Sequence, residues 1–236
     1  INLVPYNIAR IESLKEFGLK CKCLLNYKND VFTPLTVRKS NLDTTYISPK
    51  NSILKTFKII RFIIKNDFEV VFVTGYLELS SLSTILGSFI KGNKIILFSE
   101  SQEFDKKSRK PTVEFFKKSL IKIFDGAVVG GESHKNYLIK LGMKKNLIYK
   151  GYDCVDNNFF FIESEKNISM KSHELYLCCV CRFVEKKNLF TIINCFRKFK
   201  MKYPNYQEIK LKVAGTGPLK NELEMYIKDL KIKDIE

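Results

Sequence analysis

Arg182 and Lys187 stand five residues apart in the run Cys181-Arg182-Phe183-Val184-Glu185-Lys186-Lys187-Asn188. The residues before them, 175–181, are short, continuous, apolar and rich in strand formers, and predict a buried strand. After them, Leu189, Ile192, Ile193, Phe196 and Phe199 recur at helical spacing. A cation pair at a strand's carboxyl end and a helix's start meets free N–H groups and the positive end of the helix dipole. That combination suits a diphosphate, with arginine forking two oxygens and lysine acting as a point charge. A second strand, 209–214, runs into Gly215-Thr216-Gly217-Pro218, where a helix is expected to open at the proline. Gly215 and Gly217 would let the backbone approach a ligand closely. The whole is a βαβ unit with a phosphate-compatible turn. Lys220 takes the place of the third glycine of a dinucleotide fingerprint, which disfavours a nicotinamide or flavin site. The same residues also fit an ordinary α/β unit with solvated cations.

A second group with chemical potential is Ser99-Glu100-Ser101-Gln102-Glu103, which follows a strand expected over 94–98. Ligands gather at the carboxyl edge of a doubly wound sheet, so Glu100 and Glu103 are candidates for acid/base work or for holding sugar hydroxyls. The alternative is a pair of solvated loop carboxylates. His134 follows Gly130-Gly131 at the start of a helix, where a cap or packing role competes with a functional one.

These groups need a scaffold, and the chain supplies alternating elements. A helix is expected from Pro5, running through Ile8, Ile11, Leu14 and Phe17 and ended by Gly18, then a strand over 19–25. Residues 26–52 are polar and irregular, with Pro34 and Pro49. Helices over 53–65 and 79–90 alternate with strands over 70–73 and 94–98. The cations Lys106, Lys107, Arg109 and Lys110 lead into a helix over 111–124, whose apolar side holds Val113, Phe116, Leu120, Ile123 and Phe124 and whose charges include Lys117, Lys118 and Lys122. Such a helix either packs its apolar side on its own sheet or lies on an acidic membrane surface. A short strand, 127–129, and a helix over 135–141 capped by Gly142 follow.

The 236 residues suffice for one large or two modest domains, and a hydrophobic content of 45% allows a sizeable core. No apolar run approaches the ~20 residues that cross a bilayer. Asn2, Asn7, Arg10 and Glu12 interrupt any leader-like start. The seven cysteines are odd in number, and neither Cys21-Lys22-Cys23 nor the rest makes a metal spacing beside only two histidines. No metal or cofactor is expected, and a reducing cytoplasm fits this usage, with peripheral contact at the inner face of a membrane as an option. The net charge of +16 attracts anions such as nucleic acid, acidic headgroups or phosphorylated substrates. The cations are spread along the chain, which also fits a compositional bias. No basic helix with interleaved exposed aromatics is visible, so nucleic acid is not an expected partner.

The run 181–188, together with Val213-Ala214-Gly215-Thr216-Gly217-Pro218-Leu219 and Glu222-Leu223, resembles the donor domain of retaining glycosyltransferases of family 4. That family has the two-domain GT-B architecture, and Cys181 stands where it usually has glycine. The resemblance implies that Arg182 and Lys187 bind the diphosphate of a nucleotide sugar, with Gly215 and Gly217 in the adjoining turn. Phe124-Asp125-Gly126-Ala127-Val128-Val129-Gly130-Gly131 and 151–159, beginning Gly151-Tyr152-Asp153-Cys154-Val155-Asp156-Asn157, resemble a subgroup in which this last segment crosses from acceptor to donor domain. Ser99-Glu100-Ser101 with Asp105 and Arg109 resembles its cleft-facing segment, which implies catalytic roles for Glu100 and Asp105. The resemblance spans residues 5–222.

The expected fold class is therefore α/β, two Rossmann-like doubly wound domains of GT-B type with the second incomplete. An acceptor-side domain is expected over 1–158, lacking its first strand, then a polar crossing over 159–173 and a partial nucleotide-sugar domain over 174–236. The implied function is transfer of a sugar from a nucleotide-diphosphate donor to a glycan, lipid-linked or small-molecule acceptor, with retention. Paired glutamates that hold the donor sugar in the family are absent from the matching place, so a truncated chain with weak or no activity alone is expected. The alternative is a non-catalytic basic α/β module on nucleic acid or acidic membrane.

Overall fold

Short runs of strand formers between amphipathic stretches fold here as a parallel α/β structure, seen in a computed structural model that describes residues 5–25, 42–47, 51–105, 110–166, 175–232 and 234–236. Lys106, Lys107, Arg109, Pro34 and Pro49, and residues 167–173 of the expected crossing, lie outside the described residues. The elements are α1 (Pro5–Glu16), β1 (Lys22–Leu25), β2 (Asp43–Tyr46), α2 (Ser52–Lys65), β3 (Val70–Thr74), α3 (Leu79–Lys91), β4 (Lys94–Ser99) and α4 (Pro111–Ile121). Then follow β5 (Gly126–Val129), α5 (Glu132–Lys140), β6 (Ile148–Lys150), α6 (Asn157–Lys166), β7 (Tyr176–Val180), α7 (Leu189–Lys202), β8 (Lys210–Ala214) and α8 (Lys220–Asp229). Packing divides the chain into two units, Ile1–Phe161 and Ile162–Glu236.

In the first unit four parallel strands run in the order β3-β4-β5-β6. The register aligns Val73, Leu97, Ala127 and Ile148 in one row across the sheet, and all four are buried. Ile63, Ile85, Leu120, Ile121, Phe124, Tyr137, Leu138 and Leu141 bring helices and loops onto that core. The row on the opposite face, Phe98, Val128 and Tyr149, is half-buried to exposed, so burial is concentrated on one face of this sheet. A separate parallel pair, β1-β2, holds a smaller cluster of Ile8, Cys23, Leu25 and Leu42.

The second unit pairs β7 with β8 in parallel, and residues 234–236 lie along the other edge of β8, with Glu236 N donating to Leu211 O at 2.9 Å. Phe183, Leu189, Ile193 and Leu223 form its core, with Cys179, Cys181 and Val213 packed against it.

Several expectations change. Asp43–Tyr46 is a strand inside the stretch read as irregular: it is four residues long, and only pairing with β1 across a long connection makes it one. The first residues of the stretch expected as a crossing lie in the helix α6. The β7 run is not buried: Tyr176 and Val180 are exposed on the face away from Cys179, and Leu177, on the Cys179 side near the start of the strand, is exposed as well. The α8 helix opens at Lys220, two residues after Pro218. The α4 helix turns Leu120 and Ile121 into the core, and Lys117 is buried with them, paired to Glu114 at 2.7 Å and donating to the Tyr137 hydroxyl at 2.9 Å. Its expected basic side is thus partly internal.

Candidate functional site

Each unit carries one cluster. In the second unit, the chain leaving β7 is laced to the chain leaving β8. Cys181 N donates to Ala214 O at 3.1 Å, Phe183 N to Thr216 O at 2.9 Å, and Leu219 N to Phe183 O at 3.1 Å. Phe183 is buried in the core, so Arg182 sits between two anchored neighbours with its own side chain exposed. Lys187 closes a 3-10 turn, Glu185–Lys187, and is also exposed. Among the described residues neither cation has an ion-pair partner. The Cys179 thiol is pushed up by burial and then by its contact with Cys181, while Lys187 pulls it back, which places that cation near the end of β7.

Asn188 adopts a left-handed conformation, φ 51° and ψ 42°, and starts α7 without a side-chain cap. Its Oδ1 accepts the Thr191 hydroxyl at 2.8 Å instead. The start of α8 also lacks a side-chain cap. Uncapped first turns leave backbone donors for an anion. Gly215 and Gly217 have an internal reason for their identity. A Cβ on Gly215 (φ +154°) would lie 1.9 Å from Cys181 O, and one on Gly217 (φ +158°) would lie 2.5 Å from Phe183 O. Both glycines therefore let the two loops touch, beyond any approach of a ligand.

In the first unit the carboxyl ends of three adjacent strands meet. Glu100 follows β4, Gly130 follows β5, and Gly151-Tyr152-Asp153 follow β6, with Gly151 N and Tyr152 N both donating to Val129 O. Asp153 packs so tightly on Gly130 that a Cβ there would be 2.4 Å from Oδ2. Glu100 is exposed as a residue, yet partial burial of its carboxyl, then the Asp153 charge and a hydrogen bond shared with it, push that carboxyl above the usual carboxylate range. Arg10 and His134 act in the opposite sense. Two carboxyl groups in such contact hold a proton more tightly than either alone.

Arg10, from α1, organises this corner. Its guanidinium lies 4.4 Å from the Tyr152 ring centre, Nε donates to Cys154 O at 3.2 Å, and Nη2 stands 3.9 Å from Asp153 Oδ1. Tyr152 stacks on Phe98, which stacks on Phe72. His134 Nδ1 is buried and, among the described residues, has no hydrogen-bond partner.

The structure thus keeps Arg182, Lys187, Gly215 and Gly217 in one pair of laced loops and gives Glu100 the partners Asp153, Arg10 and His134. Asp105 instead ties its own turn, its carboxylate accepting the Gln102 N–H at 2.9 Å. Glu103 pairs with Lys140. Sequence reasoning missed Asp153 and Arg10 as chemical groups. The Gly-Tyr-Asp segment signalled the first only as a crossing, and nothing local signalled the second.

No family model and no curated protein matches the sequence. Solved structures do match its fold. Anabaena HepE, in complex with UDP and glucose, superposes with a TM-score of 0.59 at 9% identity, over 83% of this chain and 55% of that one. A mutant of S. aureus TarM, in complex with Fondaparinux, alpha-GlcNAc-glycerol and UDP, gives 0.52 at 11% identity over 77% and 36%. A putative UDP-N-acetylglucosamine 2-epimerase from Listeria monocytogenes gives 0.50 at 12% identity over 84% and 55%. The chain spans about half the length of HepE, 55%. Parallel sheets flanked by helices and these likenesses establish the fold as α/β of the GT-B type, with Rossmann-like architecture.

Proposed function

We propose that the chain acts on nucleotide sugars as a GT-B glycosyltransferase of the family 4 type, moving a hexosyl group from a nucleotide-diphosphate donor to a glycan, lipid-linked or small-molecule acceptor with retention. The observation that carries the reading is the laced pair of loops in the second unit. There Arg182 and Lys187 stand exposed and unpaired among the described residues, beside two helix starts without side-chain caps. Fixed cations and backbone donors of this kind offset the charge that builds on a departing diphosphate. The reading calls for no metal or cofactor, since the cations take the electrostatic role. The fold neighbours support it, since HepE and the TarM mutant are seen in complex with UDP.

The Glu100–Asp153 pair is assigned to the acceptor. As the anomeric carbon–oxygen bond to the diphosphate breaks and the bond to the acceptor oxygen forms, the hydroxyl proton must leave. A carboxyl pair with one member held above its usual range is suited to receive or share it. The unpartnered His134 Nδ1 offers a further contact to a sugar hydroxyl. Asp105, implicated by family resemblance, is assigned a supporting role in its turn.

Isothermal titration calorimetry of the chain with UDP and with UDP- and GDP-sugars tests the donor half. Binding is expected, and Arg182→Ala or Lys187→Ala should each weaken it about ten- to a hundred-fold, the worth of one charge-assisted hydrogen bond. Binding that is absent with every nucleotide, or unchanged in both variants, overturns the assignment.

A further inference from the structure

Among the described residues of the first unit, α2 and α3 carry several exposed apolar side chains. On α2, Ile53 is 79% and Phe57 61% exposed; on α3, Phe89 is 66% and Ile90 61% exposed. Ile64 and Leu86 are exposed between them. These positions are not scattered. At 100° per residue, Ile53, Phe57 and Ile64 fall within about 40° on α2, and Leu79, Leu86 and Ile90 within about 40° on α3, while Phe89 lies about 60–100° to one side of that stripe.

The packing turns both stripes the same way. Ser83 Oγ, which donates to Leu79 O, is hydrogen-bonded with the Thr56 hydroxyl at 3.1 Å, and a Cβ on Gly87 would stand 3.2 Å from Ile60 Cα, so small residues bring the two helices together side by side. Ile63 and Ile85 point to the sheet core. The apolar stripes are turned roughly 100–120° away from these core positions on each helix and form one two-helix face. Along the edge of α2 away from α3 stand Lys58, Arg61 and Lys65, all exposed and, among the described residues, without ion-pair partners. Neither helix contains a single Asp or Glu.

We propose that this face docks on an anionic lipid bilayer, with the apolar stripes seated at the headgroup–acyl boundary and the three cations on acidic headgroups. Apolar side chains on adjacent helices bordered by basic ones match an interfacial surface, and no helix among the described residues is long and apolar enough to cross a membrane. Charge decides between occupants. Two copies of this face would set three unpaired cations against three others, with no carboxylate on either helix to relieve them, whereas an acidic bilayer complements all of them. The surface is distinct from α4, where Lys117 is internal. The inference does not rest on the nucleotide-sugar reading, because vesicle binding and nucleotide binding are measured separately.

Co-sedimentation of the chain with vesicles of phosphatidylglycerol and phosphatidylcholine, against vesicles of phosphatidylcholine alone, tests it. The expected result is salt-sensitive binding to the first and little to the second. Phe57→Ser with Ile90→Ser should lower partitioning on the order of ten-fold, and Lys58→Glu, Arg61→Glu and Lys65→Glu together on the order of a hundred-fold. All five side chains are exposed, so far-UV circular dichroism should be unchanged. No binding to anionic vesicles, or equal binding by both variants, overturns the proposal. So does a dimer in sedimentation velocity that Phe57→Ser and Ile90→Ser dissolve, because the face would then be a protein interface.

Discussion

Replacing Gly215 by alanine tests the idea that the donor loops are shaped by their own contact. The new Cβ would lie 1.9 Å from Cys181 O, and ordinary contact begins at 3.4 Å, so the loops must part by 3.4 − 1.9, about 1.5 Å. That movement breaks two hydrogen bonds, Cys181 N to Ala214 O at 3.1 Å and Phe183 N to Thr216 O at 2.9 Å. At about 1 kcal/mol each, with about 1 kcal/mol more for an alanine at φ +154°, the cost is about 3 kcal/mol. Urea unfolding followed by far-UV circular dichroism should show the midpoint falling by roughly 1–2 M, and hydrogen exchange should locate the loss in β7 and β8. Gly151→Ala separates clash from backbone strain, since that glycine also has positive φ, +121°, but nothing within 4 Å of its Cβ position. It should cost only about 1 kcal/mol. If Gly215→Ala falls within about 0.5 kcal/mol of the wild type, or costs no more than Gly151→Ala, the two loops are not held by this contact and the reasoning fails.

Lys117→Met keeps the side chain's length but leaves the Glu114 carboxylate and Tyr137 hydroxyl without their cation, and should lower stability by about 2 kcal/mol in thermal or urea unfolding. A neutral effect would mean the network is not worth its burial. Glu100 is held above its ordinary value, so its environment favours the protonated form. That contribution is fully present below the unfolded value near 4.5 and lost as pH rises through the raised one. Glu100→Gln should therefore raise stability at pH 7, by less than about 1 kcal/mol because the group is partly solvated, with a higher melting temperature, and change nothing at pH 4. Equal melting at pH 7 would remove the strained carboxyl pair from the account. Transfer activity, where a donor and acceptor are found, should fall in the same variant at neutral pH.

Much of the scaffold was legible one segment at a time. Pro5 and Gly18 bracket α1, and Gly18 takes φ +80° with its N–H on Lys15 O at 2.8 Å. Buried β4 and β5 follow from their aliphatic runs, and the Arg182–Asn188 loop is a turn because Asn188 accepts a left-handed backbone. These are consequences of local propensity and periodicity, which act over a few residues.

What local patterns do not contain is the identity of neighbours. Asp153 meets Glu100 only because β4, β5 and β6 lie side by side in register, and Arg10 reaches both Asp153 and Tyr152 from far earlier in the chain. Asp43–Tyr46 is a strand only because β1 offers it an edge. Lys117 counts as surface charge on a helical wheel and becomes internal once Glu114 and Tyr137 close over it. The β7 run reads as core from its composition, yet it lies on the outer edge of a small sheet and leaves Tyr176 and Val180 in solvent. The amino-acid order by itself determined which segments would be strand, helix or cation-bearing turn. The tertiary structure decided which carboxylates lie in contact, which apolar stripes stay uncovered and why two glycines must be glycines, because each depends on atoms brought together from distant parts of the chain.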